Sequence, residues 1–395
     1  MENKNIYNIP NEMKIYSNGK LLHTIKGYSG QHYYPHKLSD YARAIYKYVS
    51  GNSNHLPIMA VDCHDCYACG FRCQDCLADE TKEWFRKNLN TFVNYEDEFI
   101  KYKLALEKIA QYSAEVGETS VRFEMSGEGN PDLYPYRTEI IKYAHSLGMK
   151  PVYISSGSYI DKALCEVLVR YCSYIRISLP GITDASYKKY SGQEKFLFSD
   201  AINLIRRLVA LRKEFNRENE LLIGVRTCLR PEIAHAIAEV STLLIDDIGI
   251  DTFQIVRAIK NNDTNDEEVI IPEKIRKVLQ NLGKNQKISV PDCLDTYYNF
   301  RKTTDTFRGS MCLVSELTPI LYSNYLLPCT HTQMIKKFNP KVLIWLKMIF
   351  HPIIVMQRLV ILVVQLKTIQ FFLIFIKLLN VLLRKIRKLT LLIKV

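Results

Sequence analysis

Acidic residues are missing from the last sixty positions of this 395-residue chain. Residues 336–395 hold 12 Lys and Arg, no Asp or Glu, and no Ala, Gly, Ser or Cys. The formal net charge of +12 therefore belongs to that segment, because residues 1–335 carry 41 basic and 41 acidic side chains. A balanced body gives no support for nucleic acid as a partner. An apolar leader is missing too. The opening MENKNIYNIPNEMK is polar and charged, which predicts no secretory signal and a cytoplasmic, reducing location. There, 11 cysteines, an odd number, point to metal or redox chemistry rather than a disulfide framework. GxxxxGKS/T, HExxH and GxSxG are all absent, so the sequence offers no P-loop, zincin helix or serine-hydrolase elbow.

Long uninterrupted apolar runs are also missing. The tail from Lys336 is rich in Leu, Ile, Val and Phe, but basic residues interrupt each run before the roughly 18–20 residues that span a bilayer. Two readings account for it. One is a basic amphipathic segment at a membrane surface, the sole basis for any membrane contact. The other is an A/T-rich gene read out of frame, which depletes Ala, Gly, Ser and Cys. No function is built on the tail.

What is present is alternation. LPIMAVD, SVRFEM, KPVYISS, SYIRISL, LLIGVRTCL and DTFQIVRAI are β-rich. Helical patterns lie between them: about 80–116, PDLYPYRTEIIKYAHSLG, YIDKALCEVLVRY, FSDAINLIRRLVALRKEF and PEIAHAIAEVSTLLIDD. Six strands with intervening helices predict an α/β fold, a partial (βα)6 TIM-like barrel of parallel strands rather than a complete eightfold one. The expected organisation is an N-terminal extension over 1–55 and a core over 56–284. A small cysteine-containing C-terminal module over 285–335 and the tail over 336–395 follow.

The chemistry is concentrated in CHDCYACGFRCQDC, residues 63–76, with five cysteines in fourteen positions. Spacing alone leaves three readings open. Cys63-x2-Cys66 with Cys73-x2-Cys76 has the pairing of a tetrahedral zinc site, although six residues between pairs is tight and Cys69 is left idle. Cys63, Cys66, Cys69 and Cys73 have the spacing of a ferredoxin run, but Gln74 replaces the usual Pro and no second run exists. Cys69-x3-Cys73-x2-Cys76 is the third. The roles of Cys63 and Cys66 stay open, and His64 and Asp65 form no recognisable site with them.

At CGFRCQDC the chain resembles the radical S-adenosylmethionine (radical SAM) superfamily, whose CxxxCxxC motif follows the first barrel strand. The resemblance covers roughly residues 56–258. It implies that Cys69, Cys73 and Cys76 ligate three irons of a 4Fe–4S cluster, leaving the fourth to chelate the methionine part of SAM; soft thiolates suit that cluster. Asp75 departs from the apolar residue usual before the last cysteine. Ser126-Gly127-Glu128, in SGEGNPD, stands where the family has a Gly-Gly-Glu turn, beside an ordinary-loop alternative. Ser178, ending YIRISLPG, resembles the strand-end serine that contacts SAM; capping the following helix is its plain alternative. In LLIGVRTCLRPE, Arg226 or Thr227 is expected to face the nucleoside.

Cys312-x11-Asn324-x4-Cys329 is similar to the opening of a SPASM-type module, with Asn324 where Gly is usual. It implies a possible auxiliary Fe–S cluster at Cys312 and Cys329, although no cysteine follows them; two packed cysteines are the plain alternative. Cys293 fits no spacing, and Cys165, Cys172 and Cys228 read as core. The resemblance implies reductive SAM cleavage, a 5′-deoxyadenosyl radical and hydrogen abstraction from a peptide or small metabolite. It also implies an external one-electron donor such as flavodoxin or ferredoxin and a low-oxygen setting. The rival class is a non-catalytic iron–sulfur electron carrier; a zinc-stapled fold is third.

Overall fold

The structure is a computed structural model. It describes residues 12–17, 20–26, 44, 56–63, 68–74, 76, 94–118, 120–126, 129–261, 269–291, 294–301, 320–322 and 325–327. An antiparallel pair, β1 (Glu12–Ser17) and β2 (Lys20–Lys26), lies within the expected N-terminal extension. The core then runs β3 (Ala60–Cys63), α1 (Tyr95–Glu115), β4 (Arg122–Met125), α2 (Arg137–Ser146), β5 (Lys150–Ser155), α3 (Lys162–Tyr171) and β6 (Tyr174–Leu179). It continues through α4 (Asp184–Ser191), α5 (Phe198–Glu214), β7 (Leu222–Leu229), α6 (Ile237–Thr242), β8 (Thr252–Asn261) and α7 (Glu273–Leu282). Short strands β9 (Ile288–Ser289), β10 (Tyr298–Arg301), β11 (Ile320–Tyr322) and β12 (Tyr325–Leu327) complete it.

All six β-rich runs are strands, and β3 to β8 lie side by side in chain order, each parallel to the next. Crossovers that always step the same way, with the right-handed sense such connections take, put their helices on one face of the sheet. This is the topology of a βα barrel, and among the described residues the sheet does not close: β10 borders β8, and β11 borders β3 with β12 outside it. β11 pairs parallel with β3, at Ile320 opposite Asp62. The 285–335 segment thus contributes β9, β10, β11 and β12 to the core sheet.

The helices form where caps and periodicity agree. Asn94 caps α1 by accepting from the amides of Glu96 and Asp97, at 3.1 and 3.4 Å. Asp161 caps α3 by accepting from Leu164 N at 2.7 Å. In α5, Ala201, Ile202, Leu204, Ile205, Leu208 and Val209 are buried, one apolar stripe at helical spacing. Two expectations needed refinement. PDLYPYRTEIIKYAHSLG divides into a 3₁₀ turn at Pro131–Leu133 and the helix α2, because Pro135 lacks the amide a continuous helix needs. PEIAHAIAEVSTLLIDD also divides: Ala234–Ala236 is 3₁₀, α6 is short, and Leu243–Ile248 is π-helical, ending at Gly249 with φ 81°. Helix α4, within DASYKKYS, is an element that the alternation did not signal.

Period-2 alternation gives the sheet two chemically different faces. On one, Phe123, Met125, Tyr153, Ile175, Ile177, Ile223, Val225, Phe253 and Ile255 are all buried, as expected under helices. The opposite, inner face carries Asp62, Arg122, Glu124, Arg176, Ser178, Arg226 and Gln254. Low on that face Val152, Ile154 and Tyr174 form an apolar plug with Leu222. The Tyr174 hydroxyl lies against Gly224, where a Cβ would strike it, and is 3.2 Å from Thr252 Oγ1.

Candidate functional site

The cysteine loop leaves β3 at the C-terminal edge of the sheet, where ligands bind in α/β barrels. Cys69, Cys73 and Cys76 are half-buried and in no disulfide; Cys63 is buried. Residues 64–67 and 75 lie outside the described residues. The loop backbone is tied down on two sides. Asn130 N donates to Ala68 O at 2.8 Å, and the Gln193 amide donates to Gly70 O at 2.8 Å. Arg72 N donates to Ser191 O at 2.8 Å and Gln74 N to Tyr190 O at 3.1 Å. The last turn of α4 therefore grips the loop on both sides of Cys73. That turn ends at Gly192, whose φ of 65° is the left-handed cap conformation.

The Ser126-Gly127-Glu128 turn is described only at Ser126; Gly127 and Glu128 lie outside the described residues. The Ser126 hydroxyl donates to Asp62 on the neighbouring strand, a short contact that joins the first two strand ends. Asp62 was not singled out from the sequence, though its alternation in AVDC puts it on the inner face. Behind the turn sits a second unanticipated group. Asp132 accepts from Ser155 Oγ at 2.6 Å, Tyr153 Oη at 2.9 Å and Tyr159 N at 3.3 Å. Asn130 donates to Ser156 and Ser158, at 3.1 and 3.3 Å. Burial pushes the Asp132 carboxyl above its ordinary value, against the opposing pull of Ser155, Tyr153, the Tyr159 amide and Asn130. The network fastens the loop after β5 to the loop after β4, and Asn130 extends it to Ala68. The signal in the sequence is Asn130-Pro131-Asp132, which reads locally as a turn.

Ser178 and Arg226 are neighbours across β6 and β7, both half-buried on the inner face. Among the described residues neither side chain has a hydrogen-bond or ion-pair partner. Thr227 is different. It is buried on the opposite face, and its hydroxyl donates to Leu179 O at 2.9 Å. Of the two residues expected from that strand, Arg226 is therefore the one on the inner face. Deeper on that face Arg122 and Glu124 form a buried ion pair at 3.3 Å, with buried Arg176 and Gln254 further along.

Among the described residues, no three His, Cys, Asp or Glu side chains converge into a ready-made metal-binding group. The donor set nevertheless fits a soft metal centre: three half-buried thiols on one pinned loop, beside a strand end. Assembly of such a shell is coupled to metal binding. Cys293, Cys312, Asn324 and Cys329, and with them the auxiliary-cluster expectation, lie outside the described residues, as does the 336–395 tail. Among the described residues, no helix is long and apolar enough to cross a membrane.

No family model matches the chain. Over 156 residues it is 29% identical to an S-adenosylmethionine-dependent nucleotide dehydratase of Flammeovirga pacifica, a match covering 40% of this chain and 49% of that protein. The match thus spans about half the length of that curated relative. Among solved structures, SuiB of Streptococcus suis aligns over 77% of this chain and 68% of its own, at 13% identity and TM-score 0.49. SuiB bound to its precursor peptide SuiA aligns over 78% and 67%, at 12% identity and TM-score 0.47. The anSMEcpe enzyme with bound AdoMet aligns over 59% and 63%, at 12% identity and TM-score 0.40. The S-adenosylmethionine dependence in the curated relative's name agrees with the resemblance carried by the cysteine motif.

Proposed function

We propose that this chain is a radical SAM enzyme. The observation that carries the reading is the CxxxCxxC loop, whose three half-buried cysteines follow the first of six sequentially ordered parallel strands. Cys69, Cys73 and Cys76 would hold a 4Fe–4S cluster. Bound there, the cluster supplies the electron for reductive cleavage of SAM and the radical chemistry that follows.

The rest is positioning by the chain. Ser126, with Gly127 and Glu128, lines the methionine end of SAM; Asp62 holds the Ser126 hydroxyl, and the Asn130–Asp132 network holds the loop behind it. Ser178 and Arg226, available on the inner face, take the polar groups of the ribose or carboxylate. Thr227 takes no part, since its hydroxyl serves the backbone of β6. The apolar cluster of Val152, Ile154, Tyr174 and Leu222 lies below these groups on the same face.

The substrate is a small metabolite or a peptide. The curated relative is named for a nucleotide, which favours the first; an auxiliary cluster at Cys312 and Cys329 would favour the second. An external one-electron donor, flavodoxin or ferredoxin, completes the system. The test is spectroscopic. After anaerobic reconstitution with iron and sulfide, the reduced protein is expected to give a 4Fe–4S electron paramagnetic resonance signal that changes on adding SAM. A cluster signal indifferent to SAM would favour the iron–sulfur electron carrier. A colourless protein with one bound zinc would favour the zinc-stapled fold.

A further inference from the structure

We infer that the Tyr187 hydroxyl donates a hydrogen bond to a sulfur of the cluster at Cys73, making Tyr187 a positioning residue that raises the cluster's reduction potential. The inference rests on the cluster reading above and adds a residue that neither the cysteine motif nor the comparisons assign.

Tyr187 lies on α4, one turn before Tyr190 and Ser191, the residues whose carbonyls hold the amides of Gln74 and Arg72. Its ring meets Phe71, two residues before Cys73, edge to face at 6.3 Å, and Phe196 at 6.1 Å. The side chain is fully buried. Among the described residues its hydroxyl has no hydrogen-bond partner. A buried hydroxyl without a partner is costly, so native proteins seldom keep one without a reason. The ring contact at Phe71 and the α4 carbonyls that hold Arg72 and Gln74 bracket Cys73 from the side on which Tyr187 lies. The donor is thus buried beside the loop that carries Cys73. A thiolate or sulfide there is the acceptor it lacks. Hydrogen bonds to cluster sulfurs stabilise the more negative, reduced state and so raise the potential.

Tyr187→Phe removes the hydroxyl and keeps the ring. The variant and wild type are reconstituted anaerobically and titrated for midpoint potential, with Tyr171→Phe, at the C-terminal end of α3 and on the opposite edge of the sheet, as control. The expected result is a more negative midpoint for Tyr187→Phe alone, with iron and sulfide contents matching wild type. In the iron-free protein, Tyr187→Phe is expected to melt no lower than wild type, since it removes an unpartnered buried group. A cluster with unchanged midpoint in Tyr187→Phe overturns this inference and leaves the radical SAM reading standing. A wild-type protein that assembles no cluster overturns both. A lower melting temperature of the iron-free variant assigns the hydroxyl a partner within the fold and also overturns the inference.

Discussion

Glu98 shows how position and environment compete at a single residue. It lies in the first turn of α1 with Glu96 and Asp97, where the helix dipole favours a carboxylate. Yet burial pushes its carboxyl up to about 7, with Lys101 pulling weakly the other way, and Oε2 is buried without a hydrogen-bond partner among the described residues. Desolvation outweighs the dipole. Because the folded state holds this proton more tightly than the unfolded chain does, its contribution is intact below about 4.5 and is lost as pH rises towards about 7. Glu98→Gln is therefore expected to stabilise the protein by about 1–2 kcal/mol at pH 8, after discounting for partial solvent access, and to make no difference at pH 4. Urea denaturation at the two pH values checks this. A stability gain at both would locate the effect elsewhere.

Helix α4 is the element on which the site depends most. It opens with a Thr183–Ser186 capping box and follows Gly181, where a Cβ would strike the backbone of Ser186 and Tyr187. It closes at Gly192, whose Cβ position lies 3.1 Å from that of Arg72. Gly192→Ala is expected to cost about 1 kcal/mol through the left-handed backbone. It should also push on Arg72 and weaken the grip on the cysteine loop. Iron retained after gel filtration of the reconstituted protein is expected to fall, more than in an exposed-helix control such as Lys162→Ala. Equal retention would show that the loop is held from the Asn130 side alone. The β-rich runs were legible because each repeats at a two-residue period between turn residues. Helix α4 was not, since DASYKKYS mixes small and charged residues with only Tyr187 and Tyr190 to bury, and its importance lies in contacts some 115 residues back along the chain. Asp132 was hidden for the same reason: its partners on and after β5 are distant in sequence until the strands align. Arg226 and Thr227 could be separated only once the register was known.

At the scale of the whole molecule, one open, sequentially wound sheet gathers the cysteine loop, the Ser126–Asp62 contact and the Ser178–Arg226 pair at the C-terminal ends or on the inner face of its strands. The charge excess plays no part in this, being confined to residues 336–395. Strand β11 beside β3 makes the segment after the core part of the same sheet. The reaction proposed for this arrangement is the reductive cleavage of SAM. The most direct measurement is the yield of 5′-deoxyadenosine from anaerobically reconstituted protein given dithionite and SAM. Cys69→Ala, Cys73→Ala, Cys76→Ala and Cys63→Ala are run alongside. Product is expected from wild type and from Cys63→Ala, with loss of at least about a hundredfold in the other three, since a transition-state loss of about 2.7 kcal/mol already amounts to that factor. A brown, reducible protein that yields no 5′-deoxyadenosine, or activity that survives removal of Cys69, Cys73 or Cys76, would contradict this expectation.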